Sequence, residues 1–230
     1  MRKPLADGDL SPQSAQWFAA VRPFEELYDL NADPWELINL ASDPAYAGTL
    51  KALAAECDRW QLESRDAHLL PEIMLDSGER EFGSRWQILH GAGGLLRTEK
   101  LLATAKFAAH SVAAQADIAR PTLDPDPAVR WWQVMACSHA SNVTDFRDLL
   151  EQETKSDEPA IRVAAAGGLA RAGNLASAAA ILGELLGDES QFVRHAAVLE
   201  IDEFGPQLIQ LTKTQIENVG DSDYSRRLAD

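Results

Sequence analysis

In the second half of the chain apolar residues recur at helical spacing, in units of fixed length. Each unit opens on a polar phrase: Asp124 Pro125 Asp126 Pro127 Ala128 Val129 Arg130, then Ser156 Asp157 Glu158 Pro159 Ala160 Ile161 Arg162, then Asp188 Glu189 Ser190 Gln191 Phe192 Val193 Arg194. The phrase predicts a helix start. Asp or Ser offers an oxygen to the unpaired N–H groups of the first turn, Pro127 and Pro159 stand where a missing N–H costs nothing, and acids suit the positive end of the helix dipole. Ile161, Ala164, Ala165 and Leu169 continue the middle unit, and Val193, Ala196, Ala197 and Ile201 the last. In this register Ile161 faces inward and Ala160 outward. Second helices answer them through Val143, Phe146 and Leu150, and through Leu175, Ala178, Ala179, Leu182 and Leu186, with Ala172 Gly173 Asn174 as the stop and restart. Asn142 caps the first of these. Past the third phrase, Gly205 Pro206 parts two helices, Leu208, Ile209, Ile216 and Val219 form a weaker stripe, and a charged tail starts at Asp221. Units that repeat at such a period and cannot bury their apolar faces alone predict a mainly α fold, an α-α hairpin solenoid.

The first half reads differently. Ser11 and Pro12 start a short helix over residues 11–20 that carries Trp17 and Phe18, and Arg22 to Leu30 is a short extended segment with a strand expected near residues 24–30. Asn31 Ala32 Asp33 Pro34 makes a turn into a brief helix through Trp35, Glu36 and Leu37, and Ser42 Asp43 Pro44 is a second cap. Tyr46, Leu50, Leu53, Cys57 and Trp60 then lie on one stripe of a packing helix, expected as core. Leu70 Pro71 and Asp76 Ser77 Gly78 are breakers, so residues 71–79 read as a linker with a single helical turn. Helices over about 80–90 and 95–118, parted by Gly91 Ala92 Gly93 Gly94, would cap the solenoid.

Two resemblances follow from these residues. The repeated helix start with its Val-Arg or Ile-Arg pair resembles the short HEAT-like repeats of phycobilisome lyases, over roughly residues 120–205. Glu26 Leu27 Tyr28 Asp29 Leu30, Asp33 Pro34, Glu36 and Asn39 Leu40 resemble the C-terminal signature of the sulfatases, most closely the branch like N-sulfoglucosamine sulfohydrolase, over about residues 10–71. That resemblance implies the last strand of a small antiparallel sheet, a turn and a terminal helix. It also implies a parent enzyme that hydrolyses sulfate esters or sulfamates, on a carbohydrate.

Sulfatase chemistry needs a Cys or Ser matured to formylglycine within a Cys/Ser-x-Pro-x-Arg motif, and a calcium held by Asp and Asn. A hydrated aldehyde attacks, and the metal with basic neighbours stabilises the charge. Cys57 is followed by Asp58 Arg59 Trp60 and Cys137 by Ser138 His139 Ala140, so neither fits. No catalytic, cofactor or metal residue is assigned in this chain, and formylglycine and calcium would belong to a catalytic domain outside it. Both cysteines, on apolar stripes, are expected as buried thiols. His68, His90, His110, His139 and His195 show no pair at ligand spacing. Gly91 to Gly94 lacks the strand and the Lys of a phosphate loop. Arg130, Arg162 and Arg194 bond neighbouring loops or line an anion-binding surface. Trp131 and Trp132 point about 100° apart on a helix, so one is expected buried and the other partly exposed.

Charge narrows the partners. With 21 Lys plus Arg against 36 Asp plus Glu, the formal charge of -15 argues against nucleic acid and anionic membranes. The opening Met1 to Gly8 is polar and no apolar run spans a bilayer, so the expectation is a cytoplasmic chain as written, whereas a full-length sulfatase parent would be periplasmic or secreted. The expected domains are 1–70, a sulfatase-like tail; 71–79, a linker; and 80–230, HEAT-like repeats. Two functions stay open: a non-catalytic C-terminal accessory fragment of a sulfatase, or a free-standing HEAT-like interaction module. Its partner would be a sulfatase catalytic domain or another protein, held through the repeats or the edge strand.

Overall fold

The computed structural model describes residues 10–15, 18, 19 and 21–219. Their ordered elements are helices, and no strand occurs among them. The chain divides into two compact units after Trp60.

In the first unit, α1 (Pro12–Ala15) is a single turn, with Ser11 Oγ accepting from the Ser14 N–H at 3.1 Å. Trp17, expected on this helix, lies outside the described residues. The strand expected at residues 24–30 does not form. The segment is extended, but the groups that pair with it include a side chain. Leu27 N–H donates to Asn39 Oδ1 at 2.9 Å, Asn39 Nδ2 donates to Glu25 O at 3.1 Å, and Leu40 N–H donates to Leu27 O at 2.8 Å. One primary amide, donor and acceptor together, stands in for a neighbouring strand.

The brief helix expected at Trp35 to Leu37 is also absent. There the Asp33 carboxylate accepts from the Leu37 and Ile38 N–H groups at 2.7 and 2.8 Å and folds the stretch into turns. Asp43 then caps a 3-10 turn, Pro44–Tyr46, which leads into α2 (Ala47–Ser64). The stripe expected as core on this helix is not: none of its residues is buried, and Leu53 is exposed. The unit is too thin to cover a helix face. Leu27 is the one buried apolar side chain among its described residues.

The second unit holds a continuous core. After a 3-10 turn, Ala67–Leu69, come α3 (Glu72–Phe82), α4 (Arg85–His90) and α5 (Gly94–Ala113). Residues 71–79, expected as a linker, are thus mostly helix, with Ile73, Met74 and Leu75 buried. Gly78 reads as a breaker, yet it sits inside α3 because α4 approaches there. A Cβ on it would meet Ile88 Cδ1 at 2.7 Å. Gly83, at φ 84°, is what ends the helix.

Three hairpins follow: α6 (Pro127–His139) with α7 (Arg147–Glu153), α8 (Pro159–Arg171) with α9 (Leu175–Leu185), and α10 (Gln191–Phe204) with α11 (Pro206–Asn218). Each first helix starts by the same local device. The Asp124, Ser156 and Asp188 side chains accept from the N–H two residues on, of Asp126, Glu158 and Ser190, at 2.9, 3.2 and 2.8 Å. The next polar residue then caps: Asp126 accepts from Ala128 N–H and Glu158 from Ala160 N–H, while Ser190 makes no side-chain cap bond.

Within the row α8 packs against α6, α7, α9, α10 and α3. Every residue from Ala160 to Ala170 except Arg162 is therefore buried. Ala160, expected outward, is among them, since an inside-and-outside register belongs to a helix packed on one side only. Asn142 does not cap the helix after it either. Its amide bonds both main-chain groups of Ile118, at 3.1 Å each, and pins the 114–121 loop. Trp131 and Trp132 are both half-buried, edge to face with centroids 4.6 Å apart, and Trp132 Nε1 donates to Leu69 O at 2.8 Å.

Candidate functional site

The repeated arginines are engaged inside the second unit. Arg162 donates to Thr154 O at 3.0 Å and to Glu184 Oε1 at 2.9 Å, and Arg194 donates to Asp188 O and Glu189 O at 2.8 and 2.9 Å. Arg130 lies 3.6 Å from Glu153 of its own second helix, with its Nε buried and making no hydrogen bond. Arg162 thus ties the turn before its helix to an acid of its second helix, Arg194 bonds carbonyls of the turn before its own helix, and Arg130 faces an acid of its second helix. Arg97 secures the first helix start by bonding both oxygens of Asp126, at 2.6 and 3.2 Å. Burial pushes the Asp126 carboxyl up, and the Arg97 guanidinium together with the Ala128 and Val129 N–H groups more than offsets this, so it ends below the usual range.

The residues with nucleophilic or ligating chemistry do not converge. Cys57 is exposed and Cys137 is buried, so the expectation of two buried thiols holds for one. Desolvation lifts the Cys137 thiol to about 11, which keeps it protonated and unreactive at neutral pH. His68 bonds Asp66 at 3.0 Å, His90 stacks on Trp86 with its Nδ1 2.8 Å from Trp86 O, and His139 Nδ1 lies 3.1 Å from Met135 O. Among the described residues no three His, Cys, Asp or Glu side chains gather as a metal site would require. Gly91 to Gly93 connect α4 to α5, whose first residue is Gly94. None of these described helices is long and apolar enough to cross a membrane.

The first unit offers a surface instead of a reaction centre. Leu30, Trp35, Leu37, Ile38 and Leu53 are exposed, Trp35 at 81 %. Beside Trp35, a cavity of about 360 Å³ is lined by Arg22, Glu26, Tyr28 and Glu36. Arg22 donates to Glu26 at 2.9 Å and holds that carboxyl below its ordinary range, so the cavity carries no surplus positive charge for an anion. Asn39 faces the main chain of Glu25 and Leu27. By strand parity the N–H and C=O groups of Glu26 and Tyr28 turn to the opposite edge. Sequence reading picked Asn39 out as part of a signature and missed its clamp, which joins residues 12 and 14 positions apart.

No protein-family model matches the chain, and no solved structure does. A curated protein that it is similar to is an ulvan-active sulfatase of Formosa agariphila, 46 % identical over 70 residues, which is 30 % of this chain and 12 % of that protein. The chain therefore contains a sulfatase-related region and spans about an eighth of that relative's length.

Proposed function

We propose that this chain is a carboxy-terminal accessory part of a sulfatase, without catalytic activity of its own, in which a sulfatase-related first unit is joined to a HEAT-like scaffold. The observation that carries the reading is the first unit's outward apolar face. That unit shows a single buried apolar side chain among its described residues and turns Leu30, Trp35, Leu37, Ile38 and Leu53 outward, in a chain that is similar to a sulfatase over 70 residues. Apolar surface of this kind marks a protein interface, and the partner to which the likeness points is a sulfatase catalytic domain. The open edge at Glu26 and Tyr28 adds main-chain donors and acceptors for strand pairing with it.

Under this reading the nucleophile, its formylglycine maturation and the calcium belong to the partner, as does the carbohydrate substrate. The partner's compartment, periplasmic or extracellular, would then be this chain's too. The helix-start device repeated at Asp124, Ser156 and Asp188 supports the HEAT-like reading of the second unit, with its hairpins stacked as nearest neighbours.

The test mixes the pure chain with the Formosa agariphila ulvan-active sulfatase from which the matching 70-residue segment has been deleted. A one-to-one complex by light scattering is expected, weakened at least ~10-fold by Trp35→Asp with Ile38→Asp, because both changes bury charge in an apolar interface. A chain that stays monomeric beside the deleted enzyme overturns the reading.

A further inference from the structure

The register of the hairpins places three polar residues in line near the ends of the first helices: His139 on α6, Arg171 on α8 and Glu203 on α10, each nine positions after its unit's arginine. Arg171 Nη2 donates to Glu203 Oε1 at 2.6 Å and lies 3.5 Å from Glu200 Oε2. The guanidinium carbon is 5.2 Å from the centre of the Phe204 ring. Gly167 lies directly beneath, where a Cβ would overlap Glu200 Oε2 and Arg171 Nη1. Glycine is what lets the pair lie flat on α8.

Two carboxyls thus share one cation, and the shorter bond goes to Glu203, the exposed one. The Glu200 side chain is only 15 % exposed, and its Oε2 and Arg171 Nη1 are buried without a hydrogen-bond partner. If both acids ionise, the buried seam between α8 and α10 carries one uncompensated negative charge. Burial raises the Glu200 carboxyl to about 7 although Arg171 draws it down, and Glu203 adds to the rise. Burial, then Arg171, lowers the affinity of His139 for a proton. On the other elements against α10, Glu184 of α9 pairs with Arg162, Lys213 of α11 with Glu217, Glu72 and Glu79 of α3 with Arg85, and Asp76 of α3 with Arg80 and, at 3.5 Å, with the Ser190 hydroxyl that starts α10.

We propose that Glu200 is a proton-operated latch between α8 and α10, which seats the last hairpin on the row when protonated and loosens it when ionised. The sign follows from linkage. A carboxyl that holds its proton more firmly in the folded state contributes stability that is complete below its unfolded value near 4.5 and is lost as pH rises from there through the folded value of about 7. Loosening would fall on the hairpin at the end of the row, the surface a further unit or partner would meet.

Hydrogen exchange of the full chain at about pH 6 and about pH 8, corrected for the intrinsic pH dependence of exchange, tests this. Residues 191–218 are expected to exchange severalfold faster at the higher pH, relative to residues 160–171. Glu200→Gln should hold them at their low-pH protection throughout. Wild-type pH dependence that persists in Glu200→Gln, or that vanishes in His139→Gln instead, overturns the proposal. Should Glu200→Gln not fold, the infrared band of a protonated carboxyl in the wild-type chain decides: titration near neutral pH supports the latch, and loss of the band already near the ordinary glutamate value sinks it.

Discussion

Ile161 is fully buried at the centre of the hairpin row, so Ile161→Asp forces an unpaired carboxylate into the core and is expected to cost about 3–5 kcal/mol. Ala180→Asp, on the exposed side of α9, should stay within about 0.5 kcal/mol of wild type. Equal chemical-denaturation midpoints for the two variants would contradict the packing described above. Asn39→Ala removes the acceptor of the Leu27 N–H, and protection of that amide should fall toward the level of the open edge when followed by residue-resolved exchange. At this scale the inward place of Ile161 was legible, because apolar spacing reports the face that meets a neighbour. Ala160 was not. Whether a small residue one step away is covered depends on the helices packed around α8, which a local pattern does not contain. The same holds for Asn39, whose bonds close over a dozen residues.

Among the elements, the helix starts were the most legible part of the fold. An oxygen two or three residues ahead of an N–H is local chemistry, and Asp124, Ser156 and Asp188 perform it where the repeated phrase placed them. The opposite case is α3. Pro71 and Gly78 read as breakers, yet Pro71 only precedes the helix, and Gly78 meets a tertiary demand for space beside Ile88. For the first start the pH dependence has a defined sign. With Asp126 held low by Arg97, its contribution is present above the unfolded carboxyl value near ~4 and is lost as pH falls through the lower folded one. Asp126→Asn is therefore expected to lower the melting temperature at neutral pH and to flatten its fall in acid. Melts from about pH 3 to about pH 7 that run parallel to wild type would show the Arg97 pair to be inert.

At the scale of the whole molecule the two units differ in self-sufficiency. The second encloses a core from Leu69 to Ile216, whereas the first leaves Trp35 and Ile38 in solvent. Helical spacing made α2 legible as a helix, but not the fate of its stripe, because spacing says which face is apolar and not what covers it. The reaction belongs to this scale as well. With Cys57 and Cys137 outside any Cys-x-Pro-x-Arg motif and Cys137 held as a thiol, the pure chain is expected to release no sulfate from an aryl sulfate, with or without calcium. Sulfate release above a heat-killed control would refute this.

The burial of α8 on several sides turns two of its residues into a clock. A protease that cuts after Arg or Lys needs an extended stretch of chain, and around Arg162 and Arg171 such a stretch exists only once the hairpins on both sides have come away. Cutting there should track the population of the globally opened chain, and so its equilibrium stability. The exposed Lys51 on α2 can be reached by local fraying of a helix that has no buried residue. Denaturant well below the unfolding midpoint should accelerate cleavage after Arg162 and Arg171 steeply and cleavage after Lys51 only slightly. Digests resolved by mass spectrometry would show the two rates separating, or, if α8 were less enclosed than described, moving together.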